Sequence, residues 1–299
     1  MNVSAKSYRA QLKEHGVFHT DSRLAQRIRE EIGDTSEVYD PTCGVGSLLA
    51  VFSDEVQKYG QELEPSYLES AKETLVNFNG CVGDTLSSPG FMDRRFSAIV
   101  ANPPFSVKWD PKEDARFEDA PCLPPPSKAD WAFILHCWYM LTEGGTAAIL
   151  CFPGALYRGQ REGKIREWLV RQNAVEKVVQ FEGGYFDDTS ISTSLLVLKK
   201  GRNGSCTKFV DNSCGIEHTV TFDEIEKNDF NLSVSCYAQP PQVEEEPIDP
   251  LTLEMQSRKS MCDRLEADIF ISQTVYTIEG WDLNPFLDDL EAVIMKFRM

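Results

Sequence analysis

The sequence predicts an α/β fold, a mostly parallel sheet covered by helices on both faces and ending in an antiparallel pair. Three observations carry that expectation. Short apolar runs alternate with amphipathic stretches through the first two hundred residues, the rhythm of strand–helix units that build a parallel sheet. A glycine-containing turn, Asp40-Pro-Thr42-Cys-Gly44-Val-Gly46-Ser, follows the first run. The tetrapeptide Asn102-Pro103-Pro104-Phe105 stands directly after the fourth. Ligands bind beyond the carboxyl ends of the strands in such sheets.

The expected strands are residues 37–39, 57–60, 81–83, 97–101, 146–152, 175–181 and 194–199. Helices are expected over 22–32, 65–78, 130–141 and 161–172. In the last of these, Ile165, Trp168, Leu169 and Gln172 recur at the spacing of one helix face. The final two strands have only residues 182–193 between them, too irregular for a crossover helix, which predicts the antiparallel pair at the sheet's end. Residues 106–129 are rich in Pro, Asp and Lys without periodicity; a loop of that length inside a compact domain is usually functional or mobile. Residues 240–250, PPQVEEEPIDP, read as a linker. The resulting division is a catalytic domain over 1–205, an extension over 206–239, the linker, and an acidic helical segment over 251–299.

Composition narrows the class. Of 299 residues, 41% are hydrophobic and 26% charged, the balance of a soluble globular protein. No window reaches the ~18 uninterrupted apolar residues of a membrane-spanning helix, and residues 1–11 lack the apolar core of a secretory signal. The nine cysteines form no CxxC pair. Reduced thiols in a cytoplasm fit that pattern better than a disulfide framework or a zinc site, and no metal is expected. The net charge is −17, and residues 222–299 hold 17 acidic against 6 basic side chains. Such a balance argues against unaided DNA binding, which depends on cations at the phosphates.

Gly44 and Gly46 permit a tight turn with close approach of a ligand. A dinucleotide site would place a third glycine at position 49, which is Leu. S-adenosylmethionine carries no phosphate and does not need that glycine. Glu62 ends the second strand, where an acid accepts from ribose hydroxyls. Asp84, followed by Thr85, comes just after the third strand and is placed to accept from an adenine amine. Asp40, Glu62 and Asp84 thus follow three successive strands, so they converge on the carboxyl edge of a parallel sheet.

The tetrapeptide supplies a different chemistry. An adenine N6 amine is a poor nucleophile because its lone pair is delocalised into the ring. The Asn102 side-chain carbonyl and the Pro103 backbone carbonyl can accept both amine protons and draw the nitrogen toward a tetrahedral shape. Pro103 and Pro104 fix the backbone and remove competing N–H donors. Phe105 offers a face on which an extruded base can stack.

With these motifs in this order, the chain resembles the γ-type amino-methyltransferases, and more closely the modification subunit of type I restriction-modification systems. The resemblance runs through most of residues 16–200. Its segments are 16–20, 40–48, 60–62, 102–105, 129–133, 152–159, 164–166 and 186–198, and residues 228–232 resemble a short motif that follows the catalytic domain. It implies a Rossmann-like methyltransferase fold of seven strands and N6-adenine methylation of DNA. It also implies that Phe18 and Thr20 contact the methionine end of S-adenosylmethionine, and that Tyr185 or Phe186 gives the flipped adenine a second aromatic face. Asp21 stands where the family usually has Pro and can cap the following helix. Only fifteen residues precede Gly16, so a minimal version of the subunit is expected. Its implied partners are double-stranded DNA and a specificity-type recognition subunit, in a homo- or hetero-oligomer. Two alternatives stay open at this point: methylation of RNA or of a protein glutamine, and a non-catalytic, cofactor-bound protein whose acidic tail mimics DNA.

Overall fold

A computed structural model describes residues 20–181, 192–239 and 249–296. They fall into two compact units, Met1–Pro240 and Pro241–Met299. The first is built on one nine-stranded sheet. Its strands are β1 (Glu37–Asp40), β2 (Gln57–Glu62), β3 (Phe78–Val82), β4 (Phe96–Ala101), β5 (Leu141–Cys151), β6 (Val175–Phe181), β7 (Thr193–Lys199), β8 (Cys206–Asp211) and β9 (Ile216–Thr221). They lie in the order β3-β2-β1-β4-β5-β7-β6-β8-β9. The first five in space are mutually parallel, and the chain reverses its direction of progress between β1 and β4. That reversal opens a crevice at the carboxyl ends of these two strands.

The helices form where the local chemistry starts and stops them. Helix α1 (Ser22–Ile32) begins at Asp21, whose carboxylate accepts from the Arg23 N–H at 2.7 Å, and ends at Gly33 with φ +72°. Asp21 therefore caps in place of the family's usual proline. Helix α2 (Pro65–Thr74) stops four residues before the expected end. Asn77 adopts φ +54° and its side chain donates to the Asp54 carbonyl at 2.7 Å, so Phe78 opens β3 instead. The buried Lys58 ammonium ties down the same turn by donating to the Val76 and Ser53 carbonyls at 3.2 and 2.8 Å. Helix α3 (Asp130–Met140) and helix α4 (Gln160–Arg171) complete the layers, with a short α5 (Phe222–Lys227) closed by a Thr221–Glu224 capping box.

Side chains alternate across the sheet and build two cores. On β4, Ala98 and Val100 pack with Leu24 and Ile28 of α1, while Ile99 and Ala101 face Trp131, Ile134 and Leu135 of α3. Arg166 of α4 is 3% exposed and fastens the end of this unit. It donates to the carbonyls of Phe230, Arg158 and Ala155 at 2.6, 2.8 and 3.3 Å. The Leu232 N–H donates to Leu156 at 2.9 Å. Residues 228–232 are thus a clasp onto α4 and the turn before it.

Two expectations about the sheet need correction. The antiparallel strand β7 does pair with β6, but it lies inside the sheet, between β5 and β6. Residues 206–221 then add β8, parallel to β6, and β9, so the sheet has nine strands and not seven. The sequence hides β9 because it is an edge strand: Glu217, His218 and Thr219 are exposed, and no apolar alternation marks it. The 106–129 segment is also not loose. Arg116, 4% exposed, pairs with Asp114 at 2.6 Å and donates to the Thr85 and Leu86 carbonyls, both at 2.6 Å.

In the second unit, α6 (Pro250–Glu279) starts with a proline in its first turn and ends at Gly280 with φ +70°, followed by α7 (Asn284–Lys296). Tyr276 contacts Trp281 and Phe286 at ring distances of 5.6 and 6.2 Å. No residue of either helix is buried, and Met255, Met261, Phe270 and Ile278 are exposed. Among the described residues no helix is long and apolar enough to cross a membrane.

Candidate active site

A cavity of about 380 Å³ opens at the carboxyl edge of β1, β2 and β4, within the size range of small-molecule sites. Each acid noted above reaches it from its own strand. Asp40 closes β1 and is 1% exposed, with Oδ1 accepting from the Thr42 N–H at 2.9 Å. The turn then runs through Gly44 at φ +53° and Gly46 at φ +88°. Gly46 does not line the cavity. A Cβ there would sit 2.6 Å from the Leu75 side chain, so this glycine lets the turn seat against the end of α2.

Glu62 ends β2 and is held by two backbone donors, Gly44 N–H at 2.8 Å and Glu64 N–H at 2.9 Å, one on each oxygen. A carboxylate has about four acceptor positions, so each oxygen keeps one for a ligand. Asp84 follows β3. Its oxygens accept from the Leu86 N–H at 2.9 Å and the Ser87 hydroxyl at 2.8 Å. The buried Thr85 hydroxyl donates to the Pro41 carbonyl, which joins the turns after β1 and β3.

Asn102 follows β4 in the same crevice. Its side-chain N–H donates to the Thr20 hydroxyl at 3.0 Å. With the amide nitrogen committed there, its carbonyl oxygen is the atom left to accept from a substrate. Pro104 lines the cavity, Pro103 is buried, and Phe105 packs against the core cluster of α1 without lining the cavity. Ser106 then takes φ +53°, a conformation that costs a non-glycine residue energy and is concentrated at functional sites.

The structure therefore brings Thr20, Asp40, Thr42, Gly44, Glu62, Asp84, Thr85, Asn102 and Pro104 around one space. Phe18, Tyr185 and Phe186 lie outside the described residues. The wall also includes Leu63, Leu86, Trp109 and Phe133, which sequence reasoning did not single out. Leu63 carried a signal, an apolar residue directly after the strand-ending acid, and in the structure it is 68% exposed. Phe133 stands in the 129–133 segment but only the turn of α3 aims it here.

Burial sets the electrostatics. The Asp40 carboxyl is pushed up to about 7, chiefly by loss of water and further by the nearby Glu62 charge, against the pull of the Thr42 N–H. Behind the wall, His136 is wholly buried and its imidazole is pushed down to about 3 by burial and by the Arg116 guanidinium. It sits 3.3 Å from the Tyr39 hydroxyl and serves packing. Among the described residues no group of three His, Cys, Asp or Glu could hold a metal ion.

Similarity to known proteins follows the same lines. A model of the N-6 DNA Methylase family matches residues 5–219. The type I restriction enzyme MpnII methylase subunit of Mycoplasma pneumoniae is 41% identical over 224 residues, 64% of this chain and 41% of that protein. The MjaVII methylase subunit of Methanocaldococcus jannaschii is 25% identical over 312 residues, 84% of this chain and 53% of the relative. The chain thus spans about half the length of the curated relatives it matches. A type I restriction-modification methyltransferase subunit from Streptococcus thermophilus has a solved structure that superposes with a TM-score of 0.69 at 29% identity, over 74% of this chain and 59% of that one. With the family match extending over most of the sheet and all of the cavity, the chain belongs to the N-6 DNA methylase family.

Proposed function

We propose that this chain transfers a methyl group from S-adenosylmethionine to the N6 amine of adenine in DNA, as the modification subunit of a type I restriction-modification system. The observation that carries the reading is one cavity shared by three acids that end or follow successive strands and by Asn102 and Pro104 of the turn after β4. The residues present suit that cofactor. Glu62 is oriented by two N–H donors with acceptor capacity left for vicinal hydroxyls. Asp84 follows the neighbouring strand β3 and lines the same cavity, where it can accept a hydrogen bond from an amine N–H. No glycine-rich phosphate cradle is built, as position 49 is the buried Leu49.

Bound S-adenosylmethionine supplies an electrophilic methyl group. The protein's part is to present the amine. Asn102 Oδ1 and the Pro103 carbonyl accept the two N6 protons, which localises the nitrogen lone pair and aims it into the cavity. Thr20 holds the Asn102 amide in that orientation. The methylated ammonium is acidic enough to lose its proton to water, so no general base is required. Phe18, Phe105, Tyr185 and Phe186 complete the proposed set, at the methionine end and at the flipped base.

Cofactor affinity should depend on the acids in a way calorimetry can read. Glu62→Ala and Asp84→Ala are each expected to weaken S-adenosylmethionine roughly tenfold or more, the cost of one charge-assisted hydrogen bond. Unchanged affinity in both variants would remove the site. Asp40 adds a pH dependence. In the free protein its carboxyl is protonated below about 7, and a permanent sulfonium charge favours the carboxylate. Affinity should therefore rise as pH increases through about 7, with proton release at pH ~6, and both effects should vanish in Asp40→Asn. The stability of the free protein moves the other way: Asp40's contribution is full below its ordinary 3.8 and is lost as pH rises toward 7.

The direct test is tritiated methyl incorporation into DNA, RNA and protein, with and without a specificity-type subunit. With its net charge of −17, the isolated chain should bind DNA feebly at physiological salt. The partner should bring sequence reading and positive surface, and dock on the acidic residues after Asn228. Deleting residues 243–299 should spare cofactor binding but abolish partner-dependent, site-specific methylation. Methylation of a defined site by the truncated chain alone would refute the partner. Incorporation into RNA or protein alone would refute the substrate.

A further inference from the structure

We infer that Trp109 is a cofactor-binding residue, its indole forming the wall against which the adenine ring of S-adenosylmethionine packs; this rests on the cofactor reading above. Residues 107–110 are part of the cavity lining, although they belong to the long segment after the Asn102 turn. That segment is firmly tied. The Trp109 N–H donates to Pro126 and its indole N–H to Pro125, both at 3.0 Å, and the Ala129 N–H donates to Val107 at 2.8 Å. The indole therefore has its single donor committed to protein, and what it can offer a ligand is flat apolar surface.

Its position selects which part of the ligand it meets. The Trp109 ring lies 5.5 Å from the Phe117 ring. The preceding residue, Arg116, grips the Thr85 and Leu86 carbonyls at 2.6 Å each. Trp109 is thereby anchored, through Phe117 and Arg116, to the turn that carries Asp84, the acid proposed to accept a hydrogen bond from the adenine amine. A base whose edge is read by Asp84 would have its face available to this wall, beside Leu86 and Phe133. Of the five tryptophans, Trp109 is the one in the cavity lining; Trp131 is wholly buried under the sheet and Trp281 belongs to the second unit.

The test uses the full chain, with intrinsic fluorescence and calorimetry of wild type, Trp109→Phe and Trp109→Ala titrated with S-adenosylmethionine and with 5′-methylthioadenosine, which lacks the amino-acid end. Wild type should change fluorescence on binding either ligand. Trp109→Phe should lose that change yet keep nearly the same affinity, because a flat ring remains. Trp109→Ala should bind both ligands roughly ten- to a hundredfold more weakly, the scale of one base–aromatic stack. A ligand-dependent fluorescence change that persists in Trp109→Phe, or an alanine variant that melts normally and binds as wild type does, would overturn the assignment. So would an alanine variant with normal cofactor affinity and a raised KM for DNA, which would place the indole at the target base. Wild type that binds no S-adenosylmethionine in calorimetry would defeat the cofactor reading itself.

Discussion

Asn102→Ala should lower methyl transfer to DNA roughly a hundredfold or more, the cost of one preorganised polar group at a reacting centre, while leaving S-adenosylmethionine affinity almost unchanged. The asymmetry follows from the geometry. The Asn102 amide nitrogen is held 3.0 Å from the Thr20 hydroxyl, so the side chain has one orientation, with its carbonyl oxygen turned to accept. Alanine removes that acceptor and frees Thr20, but it touches none of the hydrogen bonds that fix Glu62 and Asp84. Asn102→Asp keeps an acceptor of the same reach and loses the donor to Thr20; its turnover should fall less than that of the alanine variant. Single-turnover methyl incorporation beside calorimetry separates the two effects. Normal turnover with weakened cofactor binding would mean that the motif serves the cofactor and not the amine.

Why the site was largely legible in the sequence, and the sheet less so, has a physical explanation. Asp40, Glu62 and Asp84 each end or follow a strand of a parallel sheet. Strand spacing alone brings such positions together, because every parallel strand delivers its carboxyl end to the same edge. Asn102 joins them for the same reason. The wall contributed by Trp109 and Phe133 depends on tertiary placement. Trp109 sits in a segment with no period, and its position is decided by the Arg116 contacts some thirty residues back in the chain. A single arginine in a run of Pro, Asp and Lys gives no sign that it will be buried. The strand β9 was missed because an exposed edge carries no burial pattern, and the placement of β7 inside the sheet was missed because pairing order leaves no local trace. Gly46 shows the opposite error: it reads as a ligand-facing glycine, and its constraint is the Leu75 side chain.

The clasp at Arg166 yields the second large effect, on stability and not on chemistry. Arg166 is 3% exposed, and burial brings the pKa of its guanidinium down to about 10, with the Glu162 charge opposing that shift. It remains charged at neutral pH and accounts for three carbonyl partners, on Phe230, Arg158 and Ala155. Removing it leaves Phe230 and Arg158 without that donor inside the protein. Ala155 is less exposed to the loss, because the Trp131 indole N–H also donates to it at 3.1 Å. Orphaned buried acceptors cost about 1–3 kcal/mol each, so Arg166→Ala should destabilise the first unit by about 3 kcal/mol or more. For a unit of this size that lowers the melting temperature by roughly 6–12 °C. Arg166→Met restores most of the volume but none of the donors and should be nearly as damaging. Arg166→Lys, with a compact ammonium in place of a planar fork, should fall between. The segment after Asn228 should open first, so the Leu232 N–H, bonded to Leu156 at 2.9 Å, should lose hydrogen-exchange protection before the strands of the sheet do. Cofactor affinity at temperatures below the transition should be retained, since Arg166 is not part of the cavity wall. A methionine variant as stable as wild type would show that packing alone holds the clasp and that the three carbonyls find water when the guanidinium is gone.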